Sequence, residues 1–267
     1  MELKDVLIFD TETTGVPERT AQWDLDYKDY PHVVQLAWMF GNKAESHIIY
    51  PDGWEIPEAA TEIHGITTEY AKEHGEPFEF IVDMFIHDCL TAPLICGHNI
   101  HFDTSIIKAN ILREFGWEYY DNNEVESALF KGKRIDTMRP SMKWVDARMA
   151  NGRLKFPRLE ELYARCFPGE TFPAHDALAD VKACARCLPV LVDMELVELK
   201  VKEYPDAKLP MTGEEKANAP ETAKNGPNLG ASISDDKLPV QAEKATQIEN
   251  LTKISDAAAE LLDQNEF

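Results

Sequence analysis

Short apolar runs separated by polar punctuation set the pattern of the first half of the chain. "DVLIFDTE" (5–12), "HVVQLAWMF" (32–40) and "SHIIYP" (46–51) are rich in β-branched and aromatic residues and too short for helices. They predict three strands, with the turn at Gly41–Asn42 joining the second to the third. Residues 16–31 between the first two read as a loop rich in Asp and Tyr. Across 57–90 the apolar spacing becomes helical, with a stop at Gly65 and a fresh start at Pro77. "PLICGHN" (93–99) predicts a fourth, buried strand. A helix over 103–116 follows, with Asp103 as its candidate cap and Gly116 as its stop. "RIDTM" (134–138) predicts a short fifth strand. Two more helices are expected over 158–167 and 176–200, the second kinked or restarted at Pro189. Strands following strands, then strands alternating with helices, predict an α/β domain with a mixed five-stranded sheet flanked by helices.

The pattern changes near Tyr204. Residues 205–267 contain no Arg, His, Cys, Trp or Tyr, and twelve acids face six lysines. The expected organisation is a domain over 1–204, a flexible acidic linker over 205–240, and a short helical segment over 241–267. Ile248, Leu251, Ile254, Leu261 and Leu262 form a narrow stripe on that last segment, which makes it a candidate for partner binding. No basic leader and no bilayer-length apolar run are present, so the reading is a cytoplasmic protein without a membrane partner. Five scattered cysteines argue against a disulfide framework, and "CARC" (184–187) reads as small residues on a helix.

A net charge of −21 argues against a nucleic-acid partner, but its distribution is uneven. Nine basic residues lie between Lys131 and Arg158, opposed only by Asp136 and Asp146. That stretch is either a solvated face or a phosphate-binding surface.

The acids carry the chemistry. Asp10 and Glu12 sit two apart on a strand, so they share a face. Such a pair is either a solvated strand end or half of a site for a hard cation. Asp103 follows the fourth strand, and Asp180 lies in the last long helix. Four carboxylates at the ends of separate elements, or flanking them, suit two Mg²⁺ or Mn²⁺ ions and displacement at phosphorus.

Three motifs in order carry a resemblance. D-x-E-T-T-G stands at Asp10–Gly15, H-N-x-x-F-D at His98–Asp103, and H-x-A-x-x-D at His175–Asp180; "IHGIT" (63–67) and "IDTM" (135–138) accompany them. Over about residues 3–195 the chain resembles the DnaQ-like 3′–5′ exonucleases of the DEDDh type, on a ribonuclease H-like fold. Within that family the likeness is to the proofreading epsilon subunit of bacterial DNA polymerase III.

The resemblance implies that Asp10, Glu12, Asp103 and Asp180 hold two Mg²⁺ or Mn²⁺ and that His175 is the general base. On a continuous helix, five residues would turn His175 about 140° away from Asp180, so it belongs on the preceding loop "FPAH". Thr13 and Phe102 are candidates for touching the terminal nucleotide, and Asn99 for shaping the backbone beside it. Gln35 reads as a satisfied core polar group, and His64 as structural or near substrate.

The activity implied is release of nucleoside 5′-monophosphates from the 3′ end of single-stranded or frayed DNA, in proofreading or repair. The C-terminal segment would then join a DNA polymerase or another protein. Two alternatives stand beside this: an exoribonuclease of the same fold, and a catalytically inactive module that binds nucleic acid or polymerase. The insertion at 16–31 and the tail are the departures from the family pattern.

Overall fold

The computed structural model describes residues 2–202. The expected linker and C-terminal segment lie outside the described residues. The strands are β1 (Val6–Thr13), β2 (Val33–Phe40), β3 (Lys43–Ile48), β4 (Leu94–Gly97) and β5 (Arg134–Asp136). The helices are α1 (Glu58–His64), α2 (Thr68–His74), α3 (Phe78–Thr91), α4 (Ile100–Asn122), α5 (Val125–Ala128), α6 (Met138–Val145), α7 (Leu159–Cys166) and α8 (Ala177–Asp193). The sheet order is β3-β2-β1-β4-β5. β1 and β2 and β2 and β3 pair antiparallel, whereas β1 and β4 and β4 and β5 pair parallel, so the expected mixed sheet is present.

β1 is buried on both faces, which is why its apolar run is continuous rather than alternating. Leu7 and Phe9 pack with Trp38, Phe85 and Ile107 under α3 and α4. Val6 and Ile8 pack with Cys96, Leu162 and Val181 under α7 and α8. The result is three layers, helices on either face of one sheet. At the sheet edge, Phe40 pairs with Lys43 across Gly41, whose φ of 60° suits a two-residue hairpin turn.

Several boundaries differ from the sequence reading, each for a physical reason. β3 begins at Lys43 rather than 46, because the tight turn pairs the polar Lys43–Ser46 segment at once. Asp103 does not cap α4. Asn99 takes the cap in a left-handed conformation (φ 72°), and Asp103 lies one turn inside. Gly116 does interrupt α4, at φ 75° and ψ −178°, but helix resumes to Asn122. Helix α6 lies outside the elements expected from the sequence; its Pro140 sits in the first turn, where the missing N–H has no helical partner. α8 continues through Pro189 and ends at Asp193, short of Lys200.

The insertion at 16–31 is packed onto α4. Trp23 stacks on Tyr120 at 5.9 Å, and the Lys108 ammonium lies 4.9 Å above the Trp23 ring. Lys108 also pairs with Glu126 at 2.5 Å, and the Tyr120 hydroxyl donates to the same carboxylate at 2.6 Å. Cys184 and Cys187 are buried on α8, as the helical reading of "CARC" requires, and the described cysteines are all unpaired. No helix among the described residues is long and apolar enough to cross a membrane.

Candidate active site

Asp10 and Glu12 leave β1 on the face covered by α8, opposite Ala37 and Gln35 of β2. The register shifts between Glu12 and Thr13, which pair with Gln35 and Val33 and leave Val34 unmatched. Such a bulge re-aims side chains beside a site. Asp103, on the first turn of α4, accepts hydrogen bonds from the Thr11 amide (3.2 Å) and hydroxyl (2.8 Å). Asp180, on the first turn of α8, accepts from the His175 amide at 3.0 Å. The structure thus draws Asp10, Glu12, Asp103 and Asp180, from the three elements β1, α4 and α8, close enough for their charges to act on one another, while Asp10 and Asp103 fall outside the tighter group that Glu12 and Asp180 form with His175.

His175 lies on the loop before α8, as the spacing argument requires, with φ 69° and a half-exposed ring. Glu12, His175 and Asp180 offer ligand atoms within 4.8 Å of one another. The ring Nε2 of His175 lies 3.7 Å from Glu160 Oε1 on α7.

Electrostatics make this cluster unusual. Burial raises Asp10 well above the carboxylate range, and Asp103, Asp180 and Glu12 raise it further. Glu12 is pushed up to about 8, by burial first and then by Asp180 and Asp103. Burial raises Asp103 to about 7 against the opposing Thr11 hydrogen bonds. Asp180 is likewise raised to about 7 by burial, against the His175 amide. Held this way, the four acids favour their protonated forms more than ordinary carboxylates do, unless another positive charge takes the proton's place.

The other predicted residues have more local roles. The Thr13 hydroxyl donates to the Gly15 carbonyl at 2.6 Å and shapes the turn after β1. Phe102 packs partly buried against the core beneath α4. The Asn99 amide donates to Asp136 at 3.0 Å, which fixes the backbone leaving β4. His98 bridges Thr137 (2.9 Å) and the Pro157 carbonyl (3.0 Å). The His64 Nδ1 accepts from the Ile66 amide at 3.1 Å, and its ring is held below the usual imidazole range mainly by burial.

Three residues near the site were not singled out for it. Gln35 is the satisfied core polar group expected, but its partners give it a place in the site: it donates to Asp176 (3.3 Å) and accepts from the Ala177 amide (3.1 Å). It therefore ties the start of α8, and with it the His175 loop, to β2. Asp176 caps α8 through the Ala179 amide. Asp136 accepts from the Asn99 and Met138 amides, and only its place in "IDTM" pointed to it.

Comparison with known proteins bears on the family and the fold. The chain matches no curated protein. Among solved structures, E. coli exonuclease I bound to a dA16 oligonucleotide superposes with a TM-score of 0.51 at 23% identity, over 72% of this chain and 42% of that one. A structure of exonuclease I discussed for its processivity gives 0.51 at 25% identity, over 72% and 42%. Exonuclease I from Methylocaldum szegediense gives 0.50 at 20%, over 70% and 40%. The chain thus corresponds to about two fifths of the length of these proteins, and the likeness shows the shared fold. The Exonuclease (RNase T) family model matches residues 7–188, from the first strand of the acidic cluster to the middle of α8; the chain belongs to that family, in its DnaQ-like 3′–5′ branch on a ribonuclease H-like sheet.

Proposed function

We propose that the chain is a two-metal DEDDh 3′–5′ exonuclease that releases nucleoside 5′-monophosphates from single-stranded or frayed DNA ends. The observation that carries this reading is the convergence of Asp10, Glu12, Asp103 and Asp180 beside the His175 loop. The donor set fits divalent cations: the carboxylates are all hard oxygen ligands, and each is destabilised in its charged form without a counter-charge. Asp10, Glu12, Asp103 and Asp180 would hold two Mg²⁺ or Mn²⁺. When bound, such ions acidify a water and neutralise charge on a phosphodiester anion.

The chain's own residues supply the rest. His175 would accept the proton of the attacking water on a ring nitrogen, since its loop leaves the ring half exposed to solvent beside Glu12 and Asp180. The His175 amide keeps Asp180 oriented. Thr11 does the same for Asp103. Thr13, Phe102 and the Asn99 backbone would flank the terminal nucleotide.

The oligonucleotide-bound exonuclease I structure supports single-stranded DNA as the substrate. Proofreading or repair, and capture of a polymerase or another protein by residues 241–267, extend the same reading. The test is hydrolysis of matched end-labelled single-stranded DNA, mismatched-primer DNA and RNA, with Mg²⁺, with Mn²⁺ and with chelator. Metal-dependent release of mononucleotides from the 3′ end of DNA is expected. Faster release from RNA would reassign the substrate, and binding without hydrolysis in either metal would sink the enzyme reading.

A further inference from the structure

Helices α7 and α8 meet through two thiols. Cys166 is the last residue of α7, and the Cys187 thiol on α8 donates a hydrogen bond to it. The surrounding side chains hold this contact in place. Arg186, just before Cys187, lies 5.1 Å from the Tyr163 ring and 4.3 Å from the Phe167 ring, residues on either side of Cys166. The Glu170 carboxylate accepts from the same guanidinium at 2.9 Å. Tyr163 packs on Phe167 at 5.0 Å and on Phe172 at 4.9 Å. Both sulfurs therefore sit in one packed joint between the helices.

The two thiols differ in what can reach them. Among the described residues, Cys166 is the one cysteine that is not buried, whereas Cys187 is closed off from solvent. The hydrogen bond from Cys187 draws the Cys166 thiol below its usual range, against burial. The same contact, with burial, raises Cys187. An accessible, acidified thiol reacts with oxidants, and a second thiol already touching it can resolve the product from within. Cys96 of β4 and Cys184 of α8 supply the contrast: they also touch each other, but both are buried.

We propose that Cys166 and Cys187 are a modification site, joined in a reversible disulfide when the protein meets a hydroperoxide. With hydrogen peroxide, the Cys166 thiolate attacks one oxygen and the O–O bond breaks. Hydroxide leaves and is protonated to water, and Cys166 is left as a sulfenic acid. The Cys187 sulfur then attacks the Cys166 sulfur and the S–O bond breaks. The departing hydroxide takes the Cys187 proton and leaves as a second water. Two thiols have given two electrons to one peroxide. The bond would staple α7, which carries Glu160, to α8, which carries Asp180, on either side of the His175 loop. The proposal stands apart from the exonuclease reading.

The test uses the full chain, reduced, freed of reductant and exposed to hydrogen peroxide. The protein is then denatured, its remaining thiols are capped with N-ethylmaleimide, and its peptides are mapped without reduction. The parent should lose about 2 Da on oxidation. It should take up three maleimides in place of five, the two joined thiols being lost, and yield a cross-linked peptide pair holding Cys166 and Cys187. Dithiothreitol should restore all five. Cys166→Ser should take up four with or without peroxide. Cys187→Ser should instead hold Cys166 as a sulfenic acid that dimedone traps. Five maleimides on the oxidised parent would overturn the proposal. So would a cross-link through Cys96 and Cys184 or between two chains, or Cys166 carried on to sulfinic acid with Cys187 still free. The parent's peptide map decides the matter even where a serine variant fails to fold.

Discussion

Helix α4 carries two buried clusters of charge, built on opposite principles. Asp103, at its first turn, joins Asp10, Glu12 and Asp180, all of one sign and all raised by burial and by one another or nearby acids. Five residues on, Lys108 is only 3% exposed, but it meets the Glu126 carboxylate and the Trp23 ring. Burial lowers its ammonium to about 8, and Glu126 opposes that shift. The second cluster is complete within the chain and fastens the 16–31 insertion to the core. The first is unfavourable until a cation enters. One feature is built to hold structure and the other to hold a ligand, and removing a residue from each should therefore act in different ways.

The largest expected effect is on activity. Asp10→Ala or Asp180→Ala should lower turnover roughly a thousand-fold or more, because each removes a proposed ligand. In chelator, the same variants should unfold at the parent's temperature or above it, since a like charge has gone. Calorimetry showing them to be markedly less stable would mean that the cluster holds the fold together, and the contrast would collapse.

Next comes His175→Ala, with an expected loss of about a hundred-fold or more in turnover at neutral pH. Mn²⁺ affinity, measured by titration, should be retained. Near-normal turnover would remove His175 from the role of base.

A smaller effect, on stability alone, is expected from Lys108→Met. It leaves Glu126 and Tyr120 without the ammonium and should cost about 1–3 kcal/mol in urea denaturation, a range discounted because Glu126 is more than a third exposed. Adding Glu126→Gln should recover part of the loss. If the single variant were as stable as the parent, the complementary cluster would be ornamental.

The smallest effect separates the clusters by pH. Glu12, Asp103 and Asp180 have folded-state values of about 8, 7 and 7, above their unfolded ones. The stability they lend is therefore full below about pH 4 and is lost as pH rises through 7 and 8. In chelator the unfolding temperature should fall between pH 5 and 8. Mg²⁺ should offset that fall, because it binds the deprotonated acids. A profile unchanged by Mg²⁺ would argue against a cation site.

How much of this could be read from the sequence depended on range. β1, β2 and β4 showed as apolar runs because burial on both faces leaves a local trace. The Asp10–Glu12 pair and the His175–Asp180 spacing were legible because strand and helix geometry act over a few residues. α6 was missed, and whether its Pro140 is tolerated depends on where the helix starts. Asp103 was misplaced as a cap because Asn99 adopts a left-handed conformation there. The tie from Gln35 to Asp176 spans 141 residues and leaves no periodic signal. The same holds for the stacking of Trp23 on Tyr120, which turned an apparent loop into part of the core.

One hydrogen bond has a consequence for measurement. The amide of His175 donates to Asp180 Oδ2, the carboxylate of a proposed ligand. Occupancy of the site and closure of that loop are then thermodynamically linked, through a single exchangeable proton. Its rate of exchange with deuterated solvent should report metal loading directly, without any substrate, and would turn an amide in the loop into a native gauge of the site's readiness.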